Sequence, residues 1–136
     1  MKITVETTVA APVADVWKAY TSPGDIIHWN AASADWHTPR ASVDLREGGR
    51  FLARMEARDG SAGFDFEGTY TRIVEHRLIE YAFGDRTAQV EFIPESNGVR
   101  VRVTFDAETT FTVEQQRAGW QSILDNFRRY VEGSGR

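Results

Sequence analysis

From Ser42 to Phe105 the chain alternates with a period of two, segment after segment, and in each segment only one face is apolar. Phe51, Ala53 and Met55 share one side, as do Phe64, Phe66 and Tyr70. Val99, Val101, Val103 and Phe105 oppose Arg100, Arg102 and Thr104. The pattern predicts strands near Ser42–Arg46, Gly49–Ala57, Gly63–Val74, Leu78–Phe83, Ala88–Ile93 and Val99–Phe105. Asp59-Gly60, Gly84-Asp85 and Asn97-Gly98 fall between them as turn signals. One apolar face per strand implies an antiparallel sheet covered on one side only. Such a sheet needs a cover, and the rest of the chain has to supply it.

The last segment fits that role. Thr112 and Gln115 stand in the T-x-x-Q spacing of a capping box. Val113, Trp120, Ile123, Leu124, Phe127, Tyr130 and Val131 then recur every three or four residues. A helix to about Glu132, where Gly133 can end it, spans roughly 30 Å and crosses a whole sheet. At the other end, Lys2 to Val9 alternates as a half-buried strand. Ala11-Pro12 opens a helix with the stripe Val13, Val16, Trp17 and Tyr20, and Pro12 suits its first position. Ser22, with Asp25 three residues on, starts a second, short helix ending near Trp29 or Asn30. The expected order is β, two helices, six strands and one long helix: an α+β fold over residues 1–136, read as a single domain. A sheet curved around one helix leaves a hollow of the kind small ligands occupy, with the short helices closing its mouth.

Composition narrows the function classes. The 136 residues carry a net charge of −4 with both signs interspersed, so neither a nucleic-acid stripe nor a polybasic membrane patch is present. There are no cysteines, which removes disulfides, thiolate metal sites and cysteine nucleophiles. The opening MKITVETTV has no apolar block, and no run is long enough to span a bilayer. A cytoplasmic location without membrane insertion is expected, and homodimerisation stays open.

The chain resembles the helix-grip superfamily, which includes START lipid-binding domains, the birch-pollen allergen and polyketide cyclases. Within it, the chain is similar to the branch named after the activator of the heat-shock protein 90 ATPase. The matching residues are Ala11-Pro12, Val16-Trp17 and Ser22-Pro23 leading to Trp29. Val43-Asp44-Leu45-Arg46-Glu47-Gly48-Gly49-Arg50-Phe51 matches that branch's V-D-x-R-x-G-G-x-F. Phe66-x-Gly68-x-Tyr70 follows, then Gly119-Trp120 with Leu124, Phe127 and Tyr130. The branch often continues after the second-helix Trp with another aromatic and Gly-Pro; here Asn30-Ala31-Ala32 follows, which implies a different pocket lip. The resemblance implies a helix-grip fold of about seven strands.

Several candidate sites remain to be weighed. In DLREGG, Gly48-Gly49 would approach a phosphate and Asp44 with Arg46 would grip a substrate, but the context is strand-turn-strand with no helix N-terminus. A tight turn with a flanking ion pair, a mark of the fold, accounts for it. Three histidines without metal-ligand spacing do not make a zinc site, so no metal is expected. No dinucleotide, P-loop or G-x-S-x-G signature is present, so no cofactor is expected either. His28 and His37 belong to DIIHWNAASADWHTP, which reads as the short helix and a loop closing the mouth. They are assigned to the pocket lining or rim, with acid–base chemistry as the alternative. The other pocket candidates are Trp29, Trp36, Met55, Phe66, Tyr70, Phe83, Phe92, Trp120, Leu124 and Phe127, each of which also fits ordinary core. The leading expectation is a protein that binds a hydrophobic small molecule between sheet and long helix. The alternatives are a cyclase or aromatase using His28, His37 or Tyr70, and a co-chaperone. The eukaryotic activator carries a further N-terminal domain, while here residue 1 already begins the first strand, so a chaperone partner is the least expected.

Overall fold

The computed structural model describes residues 1–133. The elements run β1 (Lys2–Val9), α1 (Val13–Thr21), α2 (Pro23–Trp29), β2 (Trp36–Val43), β3 (Arg50–Ala57), β4 (Gly63–Val74), β5 (Leu78–Phe83), β6 (Arg86–Glu95), β7 (Gly98–Asp106) and α3 (Val113–Gly133). The strands form one curved sheet in the order β1-β7-β6-β5-β4-β3-β2, with every neighbouring pair antiparallel. Consecutive strands from β2 to β7 are therefore hairpin neighbours. The α1–α2 pair carries the chain from one edge of the sheet to the other.

Burial alternates as the period of two requires. On β7, Val99, Val101, Val103 and Phe105 are buried, and on β1 so are Ile3, Val5 and Val9. The opposite face carries the charge, with Arg102 close to both Glu6 and Glu91 and Arg100 close to Glu95. Across the apolar face lies α3, about 32 Å long by helical rise, burying Leu124, Phe127 and Val131. Its start is the reciprocal capping box: the Gln115 N–H donates to Thr112 Oγ1 at 3.1 Å, and the Thr112 N–H donates to Gln115 Oε1 at 3.0 Å. Beside it, the buried Gln116 amide ties down the preceding loop, donating to the carbonyls of Glu108 and Phe111 and accepting from the Glu108 N–H.

Several details differ from the sequence expectation. The first of the six strands is Trp36–Val43, not Ser42–Arg46, so Asp44 to Arg46 belong to the turn. Pro39 makes this segment look like a loop because it has no N–H to donate. On an edge strand that loss is tolerated, and the β2–β3 register shifts between His37 and Arg40, around Pro39. Pro12 occupies the N-cap of α1 rather than its first turn. Ser22 is the N-cap of α2 but its side chain makes no capping hydrogen bond. Asp25 is instead buried and accepts a hydrogen bond from the Tyr130 hydroxyl on α3. The long helix includes Gly133.

Candidate functional site

A cavity of about 250 Å3 lies between the sheet and α3. Its floor is made by Val43, Phe51, Ala53, Met55, Phe66, Tyr70, Ile79, Tyr81 and Val103, and its roof by Trp120, Ile123 and Leu124. Tyr20 from α1, with Ile26 and Trp29 from α2, closes one end. The cavity reaches the surface beside Asn30, Ser42 and Phe64, the last of which is 51% exposed.

The hollow has a cause in the side chains. Toward the β7 edge, Trp120 stacks on Phe105 at 3.9 Å and fills the space under the helix. Toward β3 and β4 the floor drops, because Ala53 and Gly68 present little or no side chain. Gly68 lies opposite Phe51, and a Cβ there would come within 2.9 Å of the Phe51 ring and 2.3 Å of the Ala82 carbonyl oxygen. Only glycine lets that ring lie over the strand. Phe51 then meets Tyr70 at 5.2 Å, Tyr81 at 5.0 Å and Phe66 at 5.7 Å, forming an aromatic floor.

The sequence-predicted residues divide into two sets. Trp29, Met55, Phe66, Tyr70, Trp120 and Leu124 border the cavity. Phe83, Phe92 and Phe127 belong to the hydrophobic cluster but stand behind its walls. Phe83 backs Phe66 and Trp120, Phe92 packs between Trp17 and Tyr20, and Phe127 supports Tyr20 and Trp29. His28, Trp36 and His37 lie outside the cavity lining. His28 is exposed and stacks on Tyr130 at 5.7 Å, while His37 sits on the edge strand opposite Glu56. Trp36 opens that strand and leans on exposed Phe64 at 5.9 Å. His28 lies on an exposed face of α2, and His37 takes the outer face of β2 with Glu56, while Trp36 opposite Ala57 shares the inner face but stands at the end of the strand, past the lining.

Sequence reasoning missed Tyr20, Phe51 and Tyr81 as wall residues. Tyr20 is part of an apolar helical stripe and reads as core. Tyr81 shares its face with Ile79 and Phe83 in LIEYAF, so the alternation that pointed to Phe83 contained the signal for Tyr81 as well.

The walls hold no Asp, Glu, Lys, Arg or His. Burial pushes the Tyr70 phenol up to about 12. Tyr20 is raised further, by burial first and then by its neighbour Tyr70. Tyr81 rises well above the usual range, by burial first and then by Tyr20 and Tyr70, with Arg86 opposing slightly. All three phenols are therefore neutral at physiological pH. Their neighbours are held by local bonds: the Trp29 indole N–H donates to the Ala19 carbonyl at 3.0 Å, and the Met55 sulfur accepts from Asn30 at 3.4 Å and from Thr38 at 3.2 Å. Among the described residues no cluster of three or more His, Cys, Asp or Glu is placed to hold a metal. No described helix is long and apolar enough to cross a membrane.

None of the curated proteins matches this chain. Solved structures do. An AHSA1-like protein from Aeromonas hydrophila is 51% identical, with 99% of this chain and 94% of that one covered at a TM-score of 0.93. A protein from Cytophaga hutchinsonii is 42% identical over 98% of this chain and 93% of its own, at a TM-score of 0.84. A Nitrosomonas europaea protein, 21% identical over 99% of this chain and 96% of its own, shares the fold at a TM-score of 0.83. Residues 10–132 match the family described as "Activator of Hsp90 ATPase homolog 1-like protein", within the helix-grip superfamily, and the chain belongs to that family.

Proposed function

We propose that this protein binds a small apolar or aromatic molecule in the cavity between the sheet and α3. The observation that carries this reading is a hollow of about 250 Å3 walled almost wholly by apolar and aromatic side chains. A filled core would be more stable. At about 24 cal/mol per Å3, an empty space of this size forfeits about 6 kcal/mol, an upper figure because the mouth is open. A ligand restores those contacts, and 200 Å2 of apolar ligand surface at about 25 cal/mol per Å2 gives about 5 kcal/mol before the losses of association. The whole chain acts as one ligand-holding domain, in the cytoplasm. Trp29 and Trp120 border the site, so their emission should shift as a panel of neutral hydrophobic compounds is titrated, with a rise in melting temperature. If no compound moves either signal, the reading fails.

The cyclase-type alternative is weaker, because His28 and His37 lie outside the cavity and the phenols inside it are poor bases at neutral pH. Family membership supports a second reading, stimulation of a heat-shock ATPase. Capture of a heat-shock chaperone together with a faster ATPase rate would favour it, and a null result in both assays would remove it.

A further inference from the structure

We infer that the cavity is built for an uncharged ligand carrying a hydrogen-bonding oxygen, such as a ketone, quinone or phenol, and that Tyr20, Tyr70 and Tyr81 hold that oxygen. The inference rests on the cavity being a ligand site and adds the chemical class of the ligand.

Three separate elements, α1, β4 and β5, each bring one phenol to the same space. Tyr70 and Tyr81 are direct partners across the β4–β5 ladder, which places their side chains side by side on one face. Tyr20 faces them from the end wall. Among the described residues none of the three hydroxyls has a hydrogen-bond partner, and no fully buried polar side-chain atom is left without one, so each hydroxyl keeps some accessible surface, and all three residues border the cavity. A wall that only had to pack would use phenylalanine, as the chain does nearby at Phe51, Phe66, Phe83 and Phe92. A hydroxyl turned into an apolar hollow is unfavourable until something there bonds to it. Phenols both donate and accept, so together they suit an oxygen of either kind.

The missing charges set the other half of the specificity. A carboxylate or ammonium entering the cavity would lose its hydration and meet no opposite charge. Arg86, the cation whose field reaches Tyr81, does not border the cavity; it lies over the Phe83 ring and donates to the Asp106 carbonyl.

The test compares three probes of nearly the same shape, 2-acetylnaphthalene, 2-isopropenylnaphthalene and 2-naphthoate, by NMR titration of the amide shifts of the lining residues. The ketone should bind about tenfold tighter than the hydrocarbon, the difference expected for hydrogen bonding, and the carboxylate should bind most weakly. Replacing the phenols, as Tyr70→Phe, Tyr81→Phe and Tyr20→Phe, should erase the ketone's advantage over the hydrocarbon. A hydrocarbon that binds the wild-type protein as tightly as the ketone, or a carboxylate that binds best, overturns the inference while the cavity stands as a site. The same holds if the ketone's advantage survives all three replacements. If no probe moves the lining amides, the cavity reading fails and the inference with it. The wild-type comparison needs no variant to fold.

Discussion

Filling the hollow from its floor should stabilise the protein and close the site together. Ala53 is 5% exposed, borders the cavity and lies between Ala41 on β2 and Phe66 on β4. Ala53→Leu adds three carbons that point into the space. At about 0.8 kcal/mol per buried methylene the gain is about 2.4 kcal/mol, less roughly 0.5–1 kcal/mol of lost rotamer freedom. A net gain of about 1.5 kcal/mol in a domain of this length corresponds to a rise of about 5 °C in melting temperature. Ligands should suffer in parallel: overpacking costs about 1–3 kcal/mol, so affinity for 2-acetylnaphthalene should fall about tenfold or more. Thermal unfolding by circular dichroism and the same NMR titration read the two effects. If the variant melts several degrees lower than wild type, the space is already occupied by the protein's own side chains in solution. The reasoning about an open cavity would then be refuted.

Other perturbations probe the framework. Gly68→Ala brings a Cβ to 2.3 Å from the Ala82 carbonyl oxygen and 2.9 Å from the Phe51 ring, and should destabilise by about 1–3 kcal/mol in urea titration. Tyr130→Phe removes the hydroxyl that donates to the buried Asp25 on α2. It should cost about 1.5–3 kcal/mol, seen as faster amide exchange in α2 ahead of global unfolding. The Asp106 carboxyl is held down to about 2, first by the Lys2 ammonium and then by the Thr87 N–H and hydroxyl. Its folded pKa lies below its unfolded value, so its contribution is present above about pH 4 and fades as pH falls toward 2. Asp106→Asn should therefore flatten the loss of melting temperature across that window; an unchanged slope would show that the ion pair contributes nothing.

The fold was legible because each of its parts is governed by a short-range rule. Alternation marked six strands, a capping box marked the start of α3, and glycine-bearing pairs marked the turns. The error at β2 has the same origin: Pro39 speaks against a strand when read locally, and only the edge position, a property of the assembled sheet, makes it tolerable. Half of the expected pocket residues border the cavity. Alternation says which face of a strand is apolar, but not where along it a helix withdraws enough to leave a hollow. That depends on which residues stand opposite one another, as Gly68 does Phe51 and Phe105 does Trp120. His28 and His37 drew attention by their chemistry, yet their direction was fixed by a helix face and a strand pleat.

The DLREGG turn joins these two levels. Gly49 is held so close that a Cβ would lie 2.1 Å from the Asp44 carbonyl oxygen, and Gly48 has a φ of +84°, where side chains are strained. The turn, braced by the Asp44–Arg46 pair, continues the β3 ladder beyond the end of the strand. The Gly48 N–H donates to the Tyr70 carbonyl at 2.8 Å, and the Tyr70 N–H donates to the Gly49 carbonyl at 2.9 Å. Glu47 accepts from the Ile73 N–H at 3.1 Å, on the far side of the irregularity between Tyr70 and Arg72. Where pairing of β4 with β5 slips, the turn thus supplies a fixed partner from the other side. Tyr70 keeps its direction at the point where its own ladder is least regular. The turn's glycines do not border the cavity, yet its backbone bonds hold Tyr70, which does. A turn conserving only its charge pair would lose that hold, because the two backbone bonds to Tyr70 require glycine's freedom at 48 and its closeness at 49.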